Sequence, residues 1–189
     1  MKAKQHGFTM IELIVVIVIL GILSAVALPR FTSIQRDARI AKLNAARGAV
    51  QTAAAMVHSV VLVRGGMPDT VPCPAGGGTA NNTTWVCTEN GRINIVNGYP
   101  NANIPAVAGV RSIVDAAGLA SAFPATLDQI RAEGYNVTGG GTAIGDTLRI
   151  RVTGGAGGAA GNNCWFTYRP SNGNLGSAAV ISAVTTTGC

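Results

Sequence analysis

Carboxylates run out early in this sequence, with none after Asp146, and aromatics make up only 5% of its 189 residues. A Gly-x-Ser-x-Gly elbow, a paired-carboxylate cluster and an EF-hand pattern are all missing, which removes the usual starting points for nucleophilic, acid–base and calcium chemistry. The four cysteines, Cys73, Cys87, Cys164 and Cys189, lack the Cys-x-x-Cys spacing of zinc and thiol-redox sites. His58 has no Cys or acid at metal-ligand spacing, so a packed or solvated imidazole is expected there. A glycine-rich run, Gly155-x-Gly157-x-x-Ala160, follows a strand as a dinucleotide fingerprint does, but Cys164, Trp165, Phe166 and Tyr168 beyond it read as strand. Lacking a helix N-terminus it makes no phosphate cradle, and a hairpin loop is expected. The chain reads as a non-enzyme that needs no cofactor or metal.

Only 12% of the residues are charged, yet the formal charge is +6. The excess is local. From Met1 to Arg64, Lys2, Lys4, Arg30, Arg36, Arg39, Lys42, Arg47 and Arg64 face only Glu12 and Asp37, whereas from Gly65 onward six arginines face six acids. The C-terminal part is neutral and has no basic stripe interleaved with aromatics, which argues against nucleic acid as a partner.

All four cysteines follow the apolar N-terminal segment and sit among Gly-rich loops, which points to an oxidising compartment and two disulfides. Three pairings are open. Cys73 with Cys87 is expected to staple a loop to the first strand, and Cys164 with Cys189 to tie the final strand to its neighbour, the latter worth roughly 3 kcal/mol by loop closure.

From Phe8 to Leu28 the sequence FTMIELIVVIVILGILSAVAL is apolar except for small hydroxyls and Glu12, and about 20 such residues span a bilayer as helix. A secretory signal has its small-residue cleavage site after the apolar core; here the candidate site, Gly7-Phe8, precedes it. Glu12 is the anomaly, because an ionisable group near the bilayer centre costs about 2.5 kcal/mol or more. No cation is near it in the same helix, so its expected partner is an α-amino group freed by cleavage before Phe8, its own or that of an adjacent subunit. A protonated or snorkelling carboxyl at the interface is the alternative. Lys and Arg are scarcer before the span than after it, which by the positive-inside rule would put the C-terminal part in the cytoplasm. The cysteines and the cleavage motif argue for export instead.

Gly7-Phe8-Thr9-Met10-Ile11-Glu12-Leu13, after a short Lys-bearing leader, resembles the class III signal of type IV pilins and related pseudopilins. The resemblance implies cleavage after Gly7 by a prepilin peptidase, N-methylation of Phe8, and a role for Glu12 in registering incoming subunits. It continues through Gly21 and Pro29, positions that weaken or kink a helix; Gly21 to Pro29 is either extended in a filament or an ordinary kink in a continuous helix. The terminal Thr-Thr-Gly-Cys and Ile95-Val96-Asn97-Gly98-Tyr99-Pro100 further resemble the mannose-sensitive haemagglutinin type of pilin. Because no carboxylate follows Asp146, the C-terminal calcium loop of the major type II secretion pseudopilin has no ligands here, which favours pilin over pseudopilin.

The implied fold is α+β: a long N-terminal helix packed on a C-terminal antiparallel sheet. Its expected parts are a leader (1–7), a transmembrane and polymerisation helix (8–28), an amphipathic stalk helix (29–64) and a disulfide-stabilised head (65–189). Leu43, Ala46, Val50, Ala54, Val57 and Val61 share one helical face and should lie on the sheet, while Ile34, Ala38, Ala41, Ala45, Gly48, Ala49 and Thr52 make a close-approach side. In the head, strands are expected at Thr84 to Thr88, Arg92 to Val96, Leu148 to Val152, Cys164 to Tyr168 and Ala179 to Thr185. The first two are expected to join through Asn90-Gly91. Short helices are expected at Ser112 to Ala122 and Thr126 to Glu133.

The function implied is a structural subunit that inserts in the bacterial inner membrane with its head in the periplasm and then polymerises into a surface pilus for attachment or motility. Its partners would be itself, the prepilin peptidase and the assembly machinery. Alternatives are a secretion pseudopilin, or a minor tip subunit whose Trp85, Trp165 and Tyr168 stack on a ligand.

Overall fold

The computed structural model describes residues 8–74, 78–89, 91–105, 111–154, 163–174 and 177–189. Two compact units divide the chain, Met1–Ala38 and Arg39–Cys189. Gly7, Asn90 and the glycine-rich run of Gly155, Gly157 and Ala160 lie outside the described residues.

One helix, α1, runs from Met10 to Arg64. Its start is a capping box: Thr9 Oγ1 accepts from the Glu12 N–H (3.4 Å) and Glu12 Oε2 accepts from the Thr9 N–H (2.9 Å), so two otherwise orphaned donors are satisfied reciprocally. Its end is set by Gly65 and Gly66, whose φ values of +57° and +74° suit the left-handed C-terminal cap. Gly21 and Pro29 both lie within α1, so of the two states open for that stretch this structure has the helical one. Pro29 contributes no N–H to the ladder. Around it, the Ser24, Thr32 and Ser33 hydroxyls donate to the carbonyls of Leu20, Pro29 and Arg30.

In the first unit every described residue is exposed, the large apolar side chains of the expected span among them. The second unit buries the C-terminal part of α1. Leu43, Ala46, Val50, Ala53, Ala54 and Val57 are buried, as the 3.6-residue period requires, while Val61 is half-buried at the edge of the same stripe. Burying an aliphatic side chain such as Leu43 contributes about 1.5–3 kcal/mol.

Among the described residues the head has two antiparallel sheets. The first orders β1 (Trp85–Thr88), β2 (Gly91–Val96) and β3 (Tyr99–Pro100) as a meander. Gly91 pairs with Thr88 and so begins β2, rather than forming the turn with Asn90. The tight turn falls one hairpin later. Val96 pairs with Tyr99 across Asn97 and Gly98, whose φ values of +50° and +78° are those of a type I′ turn, the conformation that Asn-Gly favours.

The second sheet orders β4 (Tyr135–Gly139), β5 (Leu148–Val152), β6 (Trp165–Arg169) and β7 (Val180–Ile181). Val137, Ile150 and Phe166 are register partners and all are buried, so one face of the sheet enters the core that holds Leu43 and Val50. β7 is shorter than expected because the Thr167 N–H donates to the Ser182 hydroxyl (2.9 Å) and Ser182 N–H to Thr167 O. A side chain thus replaces one ladder carbonyl, and pairing resumes only as the Trp165–Thr185 bridge.

Two short helices connect the sheets. α2 (Ile113–Ala116) stops at Gly118, φ +61°, well before the expected end at Ala122, and α3 (Leu127–Ala132) follows its Thr126 cap. Asp115 is buried at the capping box of α2, where its carboxylate accepts from the N–H groups of Ser112 (2.9 Å) and Ala125 (2.8 Å). Burial pushes the Asp115 carboxyl above its ordinary range, against the opposing pull of those N–H donors and of Arg111.

Cys73 is bonded to Cys87 and Cys164 to Cys189, and no described cysteine is free. The basic residues of α1 in this unit are also engaged with the head. Arg39 donates to the Cys189 carbonyl, Lys42 to the Glu133 carbonyl and Arg47 to the Ser182 carbonyl (2.9 Å), while Arg64 pairs with Asp69 (2.5 Å). Of the six cations that α1 carries beyond the span, three donate to backbone carbonyls of the head.

Candidate functional site

The N-terminal unit presents a bare apolar helix with one acid at its start. Phe8 is 85% exposed, and the large aliphatics from Met10 to Leu28 are all exposed. Glu12 is exposed too, and both its described hydrogen bonds as an acceptor come from Thr9, through the backbone N–H and through the hydroxyl (2.8 Å). Among the described residues it forms no ion pair. Arg30 is the nearest cation along α1, 18 residues away, or about 27 Å at the helical rise of ~1.5 Å.

The capping box gives Glu12 a local duty that sequence reasoning missed, although Thr9-x-x-Glu12 is the standard pattern for it. It uses one carboxylate oxygen, Oε2, and leaves the other without a described partner. The sequence-predicted residues thus separate. Glu12, Gly21 and Pro29 lie on the exposed part of α1, Phe8 lies two residues before its start, and the cysteines are brought together as two bonded pairs in the head.

The aromatics proposed as stacking residues are occupied. Tyr168 is fully buried, its hydroxyl donates to the Pro100 carbonyl (2.6 Å), and burial pushes its phenol well above the ordinary value. Arg92 lies over the Trp85 ring at 3.6 Å and Arg149 over the Trp165 ring at 4.5 Å. His58 stacks on Tyr99 with ring centroids 4.1 Å apart, and its Nδ1 is 3.1 Å from the Gly98 carbonyl, so it packs the β2–β3 turn onto α1.

The family of the prokaryotic N-terminal methylation motif matches residues 2–28. The type IV narrow pilus major component PilA5 of Thermus thermophilus is 40% identical over 93 residues, which is 48% of this chain and 75% of that protein. The chain belongs to the type IV pilin family. This pilin is also similar to the fimbrial protein EcpB of Eikenella corrodens, 42% identical over 39% of this chain and 43% of that protein. It is 31% identical to a type IV major fimbrial protein FimA of Dichelobacter nodosus over 50% of this chain and 64% of that one. No solved structure matches the chain significantly. A long N-terminal helix with antiparallel sheets behind it, and relatives that are major pilus and fimbrial proteins, identify a structural pilus subunit.

Proposed function

We propose that this pilin is made as a precursor with a leader at residues 1–7, that prepilin peptidase cuts between Gly7 and Phe8, and that Phe8 is then N-methylated. Residues 8–28 anchor the precursor in the inner membrane with the head of residues 65–189 in the periplasm. The same helix, continued by the stalk of residues 29–64, then leaves the bilayer to bundle with its copies in an extracellular pilus used for attachment or motility. The subunit contributes packing and register and performs no catalysis.

Glu12 carries this reading. It is an acid at the head of an apolar helix, one of its oxygens is unused locally, and the new α-amino group of Phe8 supplies a cation in the same layer. In an apolar surrounding such a pairing is strongly favoured over leaving either charge alone, so a subunit out of register is penalised. The test is mass spectrometry of the mature N-terminus: a methylated Phe8 is expected, and a filament subunit that still carries Met1 or another start overturns the proposal.

A further inference from the structure

The face of the second sheet that points away from the core carries a different chemistry from the rest of the head. Alternation along β5 and β6 sends Leu148, Ile150, Phe166 and Tyr168 inward and Arg149, Trp165, Thr167 and Arg169 outward. Arg149 is the register partner of Thr167 on one side and of Thr138 on the other. These three residues, with Gly139 and Thr147, line an open depression of about 320 Å³. Arg149 and Arg169 are both exposed, and among the described residues neither forms an ion pair. No Asp or Glu follows Asp146 in the sequence, so β6 and β7 add no acidic side chain to this face.

We propose that this face binds an acidic polysaccharide. The proposal rests on the filament reading, which repeats the face along the fibre. Two guanidinium groups can each take a carboxylate in a two-pronged grip, and the threonine hydroxyls beside Arg149 can exchange hydrogen bonds with sugar hydroxyls. The stack on Trp165 holds the Arg149 plane in place, so less freedom is lost when it is engaged. That same stack argues against single-stranded nucleic acid, which needs open aromatic faces for its bases, since Arg149 covers Trp165 and Arg92 covers Trp85. One face per subunit is a weak site, and repetition along a filament converts it into avid attachment to a polymer.

Sheared filaments passed over immobilised alginate, a polyuronate, test this, with neutral dextran and double-stranded DNA as parallel arms. Wild-type filaments should be retained on alginate and released as salt rises from about 50 mM to about 500 mM. Arg149→Gln with Arg169→Gln should weaken retention about tenfold or more, through loss of two charge-assisted contacts. Arg149→Lys with Arg169→Lys should recover only part of it, because lysine restores the charge without the two-pronged grip or the planar stack. Equal retention on dextran, stronger retention on DNA, or glutamine variants that bind alginate like wild type would each overturn the proposal. Filament yield is scored separately by electron microscopy, because its loss bears on assembly. A variant that fails to assemble is assayed as the full-length chain in detergent, coupled at high density to beads so that many faces meet the polymer, against wild type coupled in the same way, and equal retention of the two overturns the proposal.

Discussion

The two units of this pilin satisfy their side chains in opposite ways. From Phe8 to Ala38 no side chain is buried, and the hydrogen bonds there are local to one helix. From Arg39 to Cys189 the chain closes on itself through an aliphatic core, two disulfides, two capping boxes and cations that cap carbonyls. An exposed run from Met10 to Leu28 is not stable in water, so its solvent must come from outside the chain, first lipid and then other copies of the same helix. The head needs neither. The difference teaches that mutations in the first unit should change assembly without changing the stability of the second, and the reverse.

The largest expected effect is at Glu12. Glu12→Ala should leave the precursor inserted and cleaved but abolish sheared filaments, with the denaturation midpoint of the head unchanged. Glu12→Gln sharpens the point, because Gln preserves a capping box while removing the charge. If filaments return with Gln, capping and not charge pairing is the duty of this residue. Quantitative immunoblots of shear and membrane fractions decide it.

Next comes the covalent tie of the sheet. Cys164→Ser with Cys189→Ser should cost roughly 3 kcal/mol, read as a lower denaturation midpoint of the full-length chain in detergent, with N-terminal processing intact. A processing defect would break the separation of the two units.

The smallest expected effect concerns Asp115. Its native pKa is raised above the ordinary 3.8, so the stability linked to its protonation is fully present below the unfolded value and is lost as pH rises through the native one. The head should therefore gain stability, through this group, as pH falls from neutral toward the carboxylate range. Asp115→Asn should flatten that slope and cost about 1–3 kcal/mol, since the Ser112 and Ala125 N–H groups bind different carboxylate oxygens and an amide puts an NH2 donor in place of one of them. Thermal melts at a series of pH values measure both quantities.

Where the sequence pattern was long, it was legible. The buried stripe of α1 from Leu43 to Val57 follows from the helical period, and the inward row of Leu148, Ile150 and Val152 from strict alternation. Short elements escaped. β4 offers only Tyr135 and Val137 as alternating apolar positions between two glycines, too little for a strand signal on its own, and it exists because β5 supplies its ladder. α2 was expected to be longer because Ala-rich residues follow it, but Gly118 stops it, and the Asp115 carboxylate draws the chain at Ala125 back onto the cap. In the first sheet two of the three Asn-Gly pairs offer hairpin turns, and register separates them: Gly91 is taken into β2 by Thr88, and Asn97-Gly98 makes the turn. At the N-terminus Thr9-x-x-Glu12 lies inside the Gly7-Phe8 motif, and within an apolar run the charge of Glu12 masks its second duty as a hydrogen-bond acceptor at the helix start.

The disulfides have a mechanical meaning in a fibre under tension. A pulled subunit is loaded along its backbone, and any segment enclosed by a cross-link is bypassed by the load. The 25-residue separation between Cys164 and Cys189 and the 14-residue separation between Cys73 and Cys87 are therefore lengths that tension cannot extract. β7 is joined to β6 by only two paired residues, the weakest seam of the sheet, and it lies inside the longer loop. The head is protected where its hydrogen-bonded ladder is thinnest.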